Sequence, residues 1–253
     1  MLEAQRQFGR QAHRYARSRV HSRGHSLAKV LELADARPGD LALDVGTGAG
    51  FTALGVAESA RRVIATDITP EMLAQTGDLA ASRRLPNIRL ALAAAESLPF
   101  ADAAFDLVTC RLAAHHFQDV PAALAEFRRV AKPGGRVLVS DTVSPEDEAV
   151  AAYMHDLECR RDPSHVRNLA VSAWRRLLAE AGLRLLEERL AKNHQGFEEW
   201  VGRAGTPRAE VRRLRSDLER APAAARRVFG IRMRGGTIRW AWDVAIFLTV
   251  PEA

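Results

Sequence analysis

Five short apolar runs, Leu41 to Val45, Val63 to Thr66, Ile88 to Leu92, Phe105 to Cys110 and Arg136 to Ser140, alternate with amphipathic stretches. Each is bounded by Gly, Pro or Asp. No other feature limits the fold so strongly. Strands separated by helix-length segments return through crossover helices and therefore run parallel, which predicts an α/β, doubly wound sheet with helical cover. "KPGG" is a turn between a helix near Ala122 to Val130 and the fifth strand. Beyond Asp141 the pattern is mainly helical, at Pro145 to Arg160, Ser172 to Ala181, Phe197 to Val201 and Pro207 to Arg220. Two further strands are expected, Arg184 to Arg189 and the final "TIRWAWDVAIFLTV", for seven in all. "RGGT" from Arg234 to Thr237 reads as a hairpin turn, so the last strand should be antiparallel. An apolar stripe of Leu27, Val30, Leu31 and Leu33 closes a helical stretch from Leu2 to Ala34. With no repeat or clean linker, 1–253 reads as a single domain with segments 1–36, 37–141 and 142–253.

At 253 residues, 47% hydrophobic and 27% charged, the chain can bury a full core. "VAIFLTV" is too short to span a bilayer, so no membrane insertion is expected. Cys110 and Cys159 lack metal-ligand spacing, and so few cysteines fit a reducing cytoplasm with no metal site. The net charge is +6, carried almost wholly by arginine, since lysine occurs only at Lys29, Lys132 and Lys192. Arginines interspersed with acids, as in "PRAEVRRLRSDLER", read as solvated helix faces rather than a nucleic-acid grip.

"LDVGTGAG" carries Gly46, Gly48 and Gly50 from the first strand into the next helix. This is the βα turn where a doubly wound sheet receives a nucleotide-like ligand, and missing side chains let a ligand approach the backbone. Asp67 ends the second strand, about twenty residues on, where a carboxylate can accept from both ribose hydroxyls. An adenosine-type cofactor is implied. The spacing is G-x-G-x-G rather than the G-x-G-x-x-G of dinucleotide sites, and Asp44 before it would repel a pyrophosphate yet favour an ammonium or sulfonium. No Lys-Ser or Lys-Thr follows, which excludes a P-loop.

From Leu41 to Asp141 the chain resembles the class I S-adenosylmethionine-dependent methyltransferases. "LDVGTGAG", "VIATDIT", "AAAESLPFADAAFDLV" and "FRRVAKPGGRVLVSD" follow that family's order and spacing. "CRLAAHHF", "SDTVSPED", "RDPSHVRNLAVSAWRRLLAEAGL", the Trp200 segment and the spacing of Phe8, Ala12, Tyr15, Ser18 and His21 resemble a bacterial group of methyltransferase type 11, near the quinone and sterol C-methyltransferases. The resemblance implies a donor, S-adenosyl-L-methionine, and a product, S-adenosyl-L-homocysteine. It makes 1–36 a helical lid that includes Tyr15, 37–141 the cofactor-binding core, and 142–253 the substrate side. By the same resemblance Asp44 faces the methionyl ammonium, and the backbone at Gly46, Thr47 and Gly48 lies against the methionine part. Asp67 takes the ribose, and Ile68 and Met72 flank the adenine, with plain core packing as their competing reading. Many members have Asp where this chain has Ala94, so adenine recognition is expected to rest on the Ala95 amide or on Glu96.

Methyl transfer needs alignment of donor and acceptor and exclusion of water. Arg111, His115 and His116 follow the fourth strand, where the methyl group should emerge. Imidazole can take a proton from an attacking hydroxyl, amine or acidic carbon. His116 is expected on the cofactor side and His115 in the pocket, the alternative being that one only packs behind the loop. His165 before the Ser172 helix is either a third candidate or a solvated loop residue. Tyr153 and Glu158 are expected to roof the pocket, and a ring of Arg111, Arg161 and histidines would suit an anionic or polar acceptor. The expected function is methylation of a small molecule by a cytoplasmic enzyme, with a homodimer possible. Two alternatives stay open: an RNA or protein methyltransferase gripping through Arg203 to Arg239, although no N-P-P-Y motif follows the fourth strand, and a non-catalytic cofactor-binding protein.

Overall fold

A computed structural model describes residues 2–16, 18, 22 and 25–252. The strands are β1 (Leu41–Val45), β2 (Arg62–Asp67), β3 (Ile88–Leu92), β4 (Phe105–Arg111), β5 (Ala131–Val143), β6 (Leu183–Gly196), β7 (Arg232–Arg234) and β8 (Thr237–Pro251). They form one sheet in the order β3-β2-β1-β4-β5-β8-β6, with β7 paired to β8 off this path. β1 to β5 are mutually parallel, and β8 lies antiparallel between β5 and β6. The doubly wound sheet is therefore as expected, with eight strands rather than seven. The extra strand is the short β7, which the "RGGT" hairpin folds onto β8. Gly235 and Gly236 both take positive φ there (57° and 75°), as a tight hairpin turn requires.

The helices are α1 (Leu2–Ala16), α2 (His25–Ala34), α3 (Phe51–Ala57), α4 (Pro70–Ser82), α5 (Val120–Val130), α6 (Glu148–Arg161), α7 (Val171–Glu180), α8 (Phe197–Ala204), α9 (Arg208–Glu219) and α10 (Ala223–Phe229). Among the described residues, the helical stretch expected over Leu2 to Ala34 includes the two helices α1 and α2. α2 buries Val30 and Leu33 in the cluster that also holds Leu54 of α3 and Ile246 of β8. α5 and α6 start on the side chains of Asp119 and Asp147, which accept from the amides of Ala122 and Val150 and so satisfy one donor of each first turn. α10 was not read from the sequence: "AAARRVF" is short, and only its packing of Ala225 and Phe229 against α6 and β8 marks it as helix. The "KPGG" turn is a loop set within β5. Ala131 pairs with Phe105 and Arg136 with Leu107, and the intervening residues are thrown out as a bulge.

Three packing clusters follow from this layering. One lies under α5 and α7, one under α2, α3 and α4, and a third, rich in Trp200, Trp240, Trp242 and Phe229, joins α6, α8, α9 and α10 to β8. β6 and β8 outrun β5. The last β5 residue paired with β8 is Val143, opposite Asp243, whereas β6 continues along β8 to Gly196 opposite Arg239. The two-stranded extension rises past the carboxyl edge of the parallel strands.

Candidate functional site

After β1 the chain turns outward to β2 and β3, then crosses back to β4 on the other side of β1. At that reversal of strand order a crevice forms at the carboxyl ends, as the topology of doubly wound sheets dictates. It is a cavity of about 160 Å³. Tyr15, Asp44, Gly46, Thr47, Gly48, Asp67, Ile68, Met72, Ala95, Glu96, Arg111, His115, His116 and His165 all line it. Gly50 and Ala94, also expected there, are not among its lining residues.

The glycines divide by cause. A Cβ at Gly46 would stand 2.6 Å from the Ala113 Cβ, and one at Gly50 would stand 2.6 Å from Cγ2 of Thr76; both have positive φ. These two are demanded by neighbouring parts of the protein. Gly50 closes the turn at the start of α3 behind the cavity. Only Gly48, with φ +55° and nothing within 4 Å of a would-be Cβ, leaves open space toward the cavity. Ala94 turns away because its segment folds back in an isolated bridge to Ser97.

Two acids frame this loop. Asp44 accepts from the hydroxyls of Thr47 and Thr109 at 2.7 Å each. Burial raises its pKa against those bonds and the nearby Arg111. Asp67 accepts from the amides of Gly48 and Thr69, both at 2.9 Å, one on each oxygen. Burial raises this carboxyl too. Each oxygen of Asp67 keeps a lone pair for a ligand hydroxyl. Arg111 donates through Nε to Thr52 at 3.0 Å, and burial lowers its pKa to about 10. Glu96 Oε1 accepts from the Gln118 amide at 3.0 Å, tying the loop after β3 to the loop after β4.

Beyond β4, Leu112 takes φ 53°, a left-handed conformation rare for a branched side chain, and its amide is held by the Ser140 carbonyl. The following turn, Ala114–His116, places two imidazoles in the cavity. His115 Nδ1 lies 2.6 Å from Asp141 Oδ1, and Oδ2 of the same carboxylate accepts the His115 amide at 2.8 Å. Asp141 is almost wholly buried and also accepts from the Thr142 amide. This bonding assigns the proton to Nδ1 and leaves Nε2 as an acceptor. Burial alone would lower the His115 pKa, but Asp141 outweighs it and raises it. His116 Nδ1 donates to the Ser164 carbonyl at 3.0 Å, and its ring meets Phe8 edge-on at 4.7 Å. Burial and the neighbouring His115 lower its pKa to about 4. His165 stands with its ring centre 5.6 Å from that of His115, held to about 3 by burial and by His115. The amides of Val166 and Arg167 donate to the His115 carbonyl, so the loop bearing His165 is stitched to the His115 turn.

Sequence reading missed several participants. Asp141 was visible only as the end of a strand motif, and its pairing with His115 depends on β4 and β5 being neighbours. Asn193 and Gln195 lie on the part of β6 that continues past the expected Arg189; "LAKNHQG" is polar with little strand propensity and forms a strand because β8 pairs with it. Arg203 and Trp242 join them. Glu158 and Arg161 line the cavity as expected. Tyr153 does not: its hydroxyl donates to the Asp217 carbonyl at 3.0 Å, on the α9 side. His155, Cys159 and His165 offer ligand atoms within 4.8 Å of one another. The sequence spacing did not suggest this, because the third member returns only after α6 ends; the donor set is one that zinc accepts.

α1 lies across the cavity mouth. Gln5 donates to the Ile68 carbonyl at 2.8 Å, while Gln7 and Arg14 donate to the carbonyls of Ala204 and Gly202 at 2.7 Å each. His21, part of the N-terminal spacing, lies outside the described residues. Among the described residues, no helix is long and apolar enough to cross a membrane.

Residues 43–139 match the family described as methyltransferase domain. The chain is 35% identical to the uncharacterized methyltransferase YcgJ of Bacillus subtilis over 88% of both chains. The crystal structure of that protein superposes with a TM-score of 0.86, over 90% of this chain and 99% of that one. It is 39% identical to the uncharacterized protein YafE of Escherichia coli, over 75% of this chain and 92% of that protein. A ubiquinone/menaquinone biosynthesis C-methyltransferase of Cupriavidus taiwanensis is 38% identical over 51% of this chain and 56% of its own.

Proposed function

The chain belongs to the methyltransferase family, and from that premise we propose that it methylates a small molecule using S-adenosylmethionine held by Asp44, Gly48, Asp67 and the residues around them. The observation that carries the reading is Asp67: a buried carboxylate fixed by two amides at the edge of a cavity, with Gly48 beside it open to a ligand. Asp67 would accept the ribose hydroxyls, and Ile68, Met72 and Ala95 would enclose the adenine. Thr47 and Thr109 hold Asp44 toward the ammonium of the methionine part. When bound, the donor supplies a methyl group on a sulfonium, already activated for displacement.

The protein's own contribution is alignment, dryness and a place for one proton. His115 Nε2 takes the proton of the attacking oxygen, nitrogen or carbon, and Asp141 stabilises the imidazolium that results. His116, with its low pKa, stays neutral and forms a wall with Phe8. α1 would act as a lid that excludes water. Against a polyanion grip through Arg203 to Arg239, Arg203 is buried in the cavity, and Arg213 and Arg215 pair with Glu210 and Glu198.

Calorimetric titration with S-adenosylhomocysteine tests the reading. Wild type should bind, and Asp67→Ala should weaken binding by about 2–3 kcal/mol, the loss of charge-assisted hydrogen bonds to two hydroxyls. Binding of NAD in place of the adenosyl compound would refute it.

A further inference from the structure

The far end of the cavity holds two arginines that methyl transfer itself leaves without a task. Arg203, in the last turn of α8, is 7% exposed. Its Nη2 donates to Gln195 Oε1 at 3.2 Å, while its Nε and Nη1 have no hydrogen-bond partner among the described residues. The carboxylate it meets, Glu199, is 3.8 Å away and half exposed. Arg161, at the end of α6, is 6% exposed. Its Nε donates to the Trp200 carbonyl, its Nη1 stands 3.5 Å and 3.6 Å from Glu158 and Asp162, and the Tyr15 side chain also bonds the guanidinium, while its Nη2 has no hydrogen-bond partner among the described residues. Protein interiors rarely leave buried guanidinium N–H donors unmet. Burial, and then Arg161, lower the Arg203 pKa only to about 10, so it keeps its charge at neutral pH.

The neighbours restrict what can meet these donors. Glu158 Oε1 already accepts from the indole N–H groups of Trp200 and Trp242, at 3.2 and 2.7 Å, which turns both rings into fixed walls of the cavity. Glu158 and Asp162 formally balance the charge of the two arginines, so a multiply charged group such as a free phosphate would be repelled, and what the site offers a ligand is its unmet N–H donors. A single negative charge fits.

Resting on the reading of this cavity as a methyl-transfer site, we propose that Arg203, with Arg161 Nη2, forms a carboxylate subsite for the acceptor. The acceptor is then a monoanionic carboxylic acid whose apolar body lies against Trp200 and Trp242 and whose reacting atom is directed toward His115. Asn168, whose side-chain oxygen and nitrogen also lack partners among the described residues, lines the same cavity and supplies further polar contacts to it.

Benzoate, its neutral isostere benzamide and inorganic phosphate are titrated into the wild-type chain, free and saturated with S-adenosylhomocysteine, with tryptophan fluorescence and calorimetry as readouts. Benzoate should bind at least tenfold more tightly than benzamide, and phosphate should not bind. Arg203→Gln should lose at least tenfold in benzoate affinity while its S-adenosylhomocysteine affinity stays within twofold. Equal binding of benzoate and benzamide, or no binding of benzoate, overturns the subsite without any variant having to fold. A folded Arg203→Gln protein that binds benzoate like wild type also overturns it. So does one that loses S-adenosylhomocysteine instead, since the arginine would then belong to the cofactor's own carboxylate. If the wild type fails to bind S-adenosylhomocysteine, the donor reading falls, while benzoate titration of the free chain still decides the subsite.

Discussion

Replacing Asp141 by Asn removes the largest of the charges that offset the burial of His115, the others being Glu158 and Asp162. The carboxylate lies 2.6 Å from Nδ1 and is 1% exposed in its side chain, so solvent screens it little. A hydrogen bond to a charged group contributes about 1.5–3 kcal/mol. Its loss should therefore lower the His115 pKa. Burial would then be opposed only by Glu158 and Asp162, and His115 should titrate below the ordinary imidazole value, as His116 and His165 do although carboxylates oppose their burial too. In the wild type the raised pKa adds stability that is full below that ordinary value and is lost as pH rises through the raised one. In the variant the sign reverses, and stability falls as pH drops below the ordinary value. Asn keeps one acceptor but turns its amide donor toward either the His115 ring or a backbone N–H, costing about 1–3 kcal/mol. NMR titration of the histidine ring protons reads the shift directly, and urea unfolding at several pH values reads its linkage to stability. An unchanged His115 midpoint in a folded Asp141→Asn protein would refute the pairing and, with it, the case for His115 as the proton acceptor.

The glycine loop offers a second test: Gly46→Ala and Gly50→Ala should each destabilise the fold by roughly 2–5 kcal/mol, combining backbone strain with overpacking against Ala113 or Thr76. Gly48→Ala should cost only about 1–2 kcal/mol for its positive φ, yet weaken S-adenosylhomocysteine binding; denaturant melts and calorimetry separate the two effects, and equal losses at all three sites would contradict the division. α1 should gain hydrogen-exchange protection over the described residues around Tyr15 when S-adenosylhomocysteine binds, because it spans the mouth by side-chain bonds to the carbonyls of Ile68, Gly202 and Ala204. Equal exchange in both states would remove its role as a lid.

Periodicity and turn chemistry are local, and what they specify was legible in the chain alone. The five parallel strands, the glycine turn after β1, the acid at the end of β2 and the hairpin glycines at Gly235 and Gly236 each follow from residues a few positions apart. The part of the site proposed to hold the donor was readable for that reason: Asp44, Gly48 and Asp67 lie at strand ends whose neighbours the alternating pattern fixes. Even there, the reason for each glycine was not local. Gly46 and Gly50 answer to Ala113 and Thr76, which reach them only through the crossover of the chain to β4 and the packing of α4. On the side proposed for the acceptor, His115, His116, His165, Glu158 and Arg161 were named from the sequence, but their partners were decided by tertiary structure. The polar end of β6 is a strand only because β8 hydrogen-bonds to it, and this extension carries Asn193, Gln195 and Trp242 over the cavity. Asp141 meets His115 because β5 lies beside β4, and Arg161 meets Arg203 because α6 and α8 end at the same edge of the sheet. Burial sets the protonation of these groups, and burial depends on every element packed around them at once.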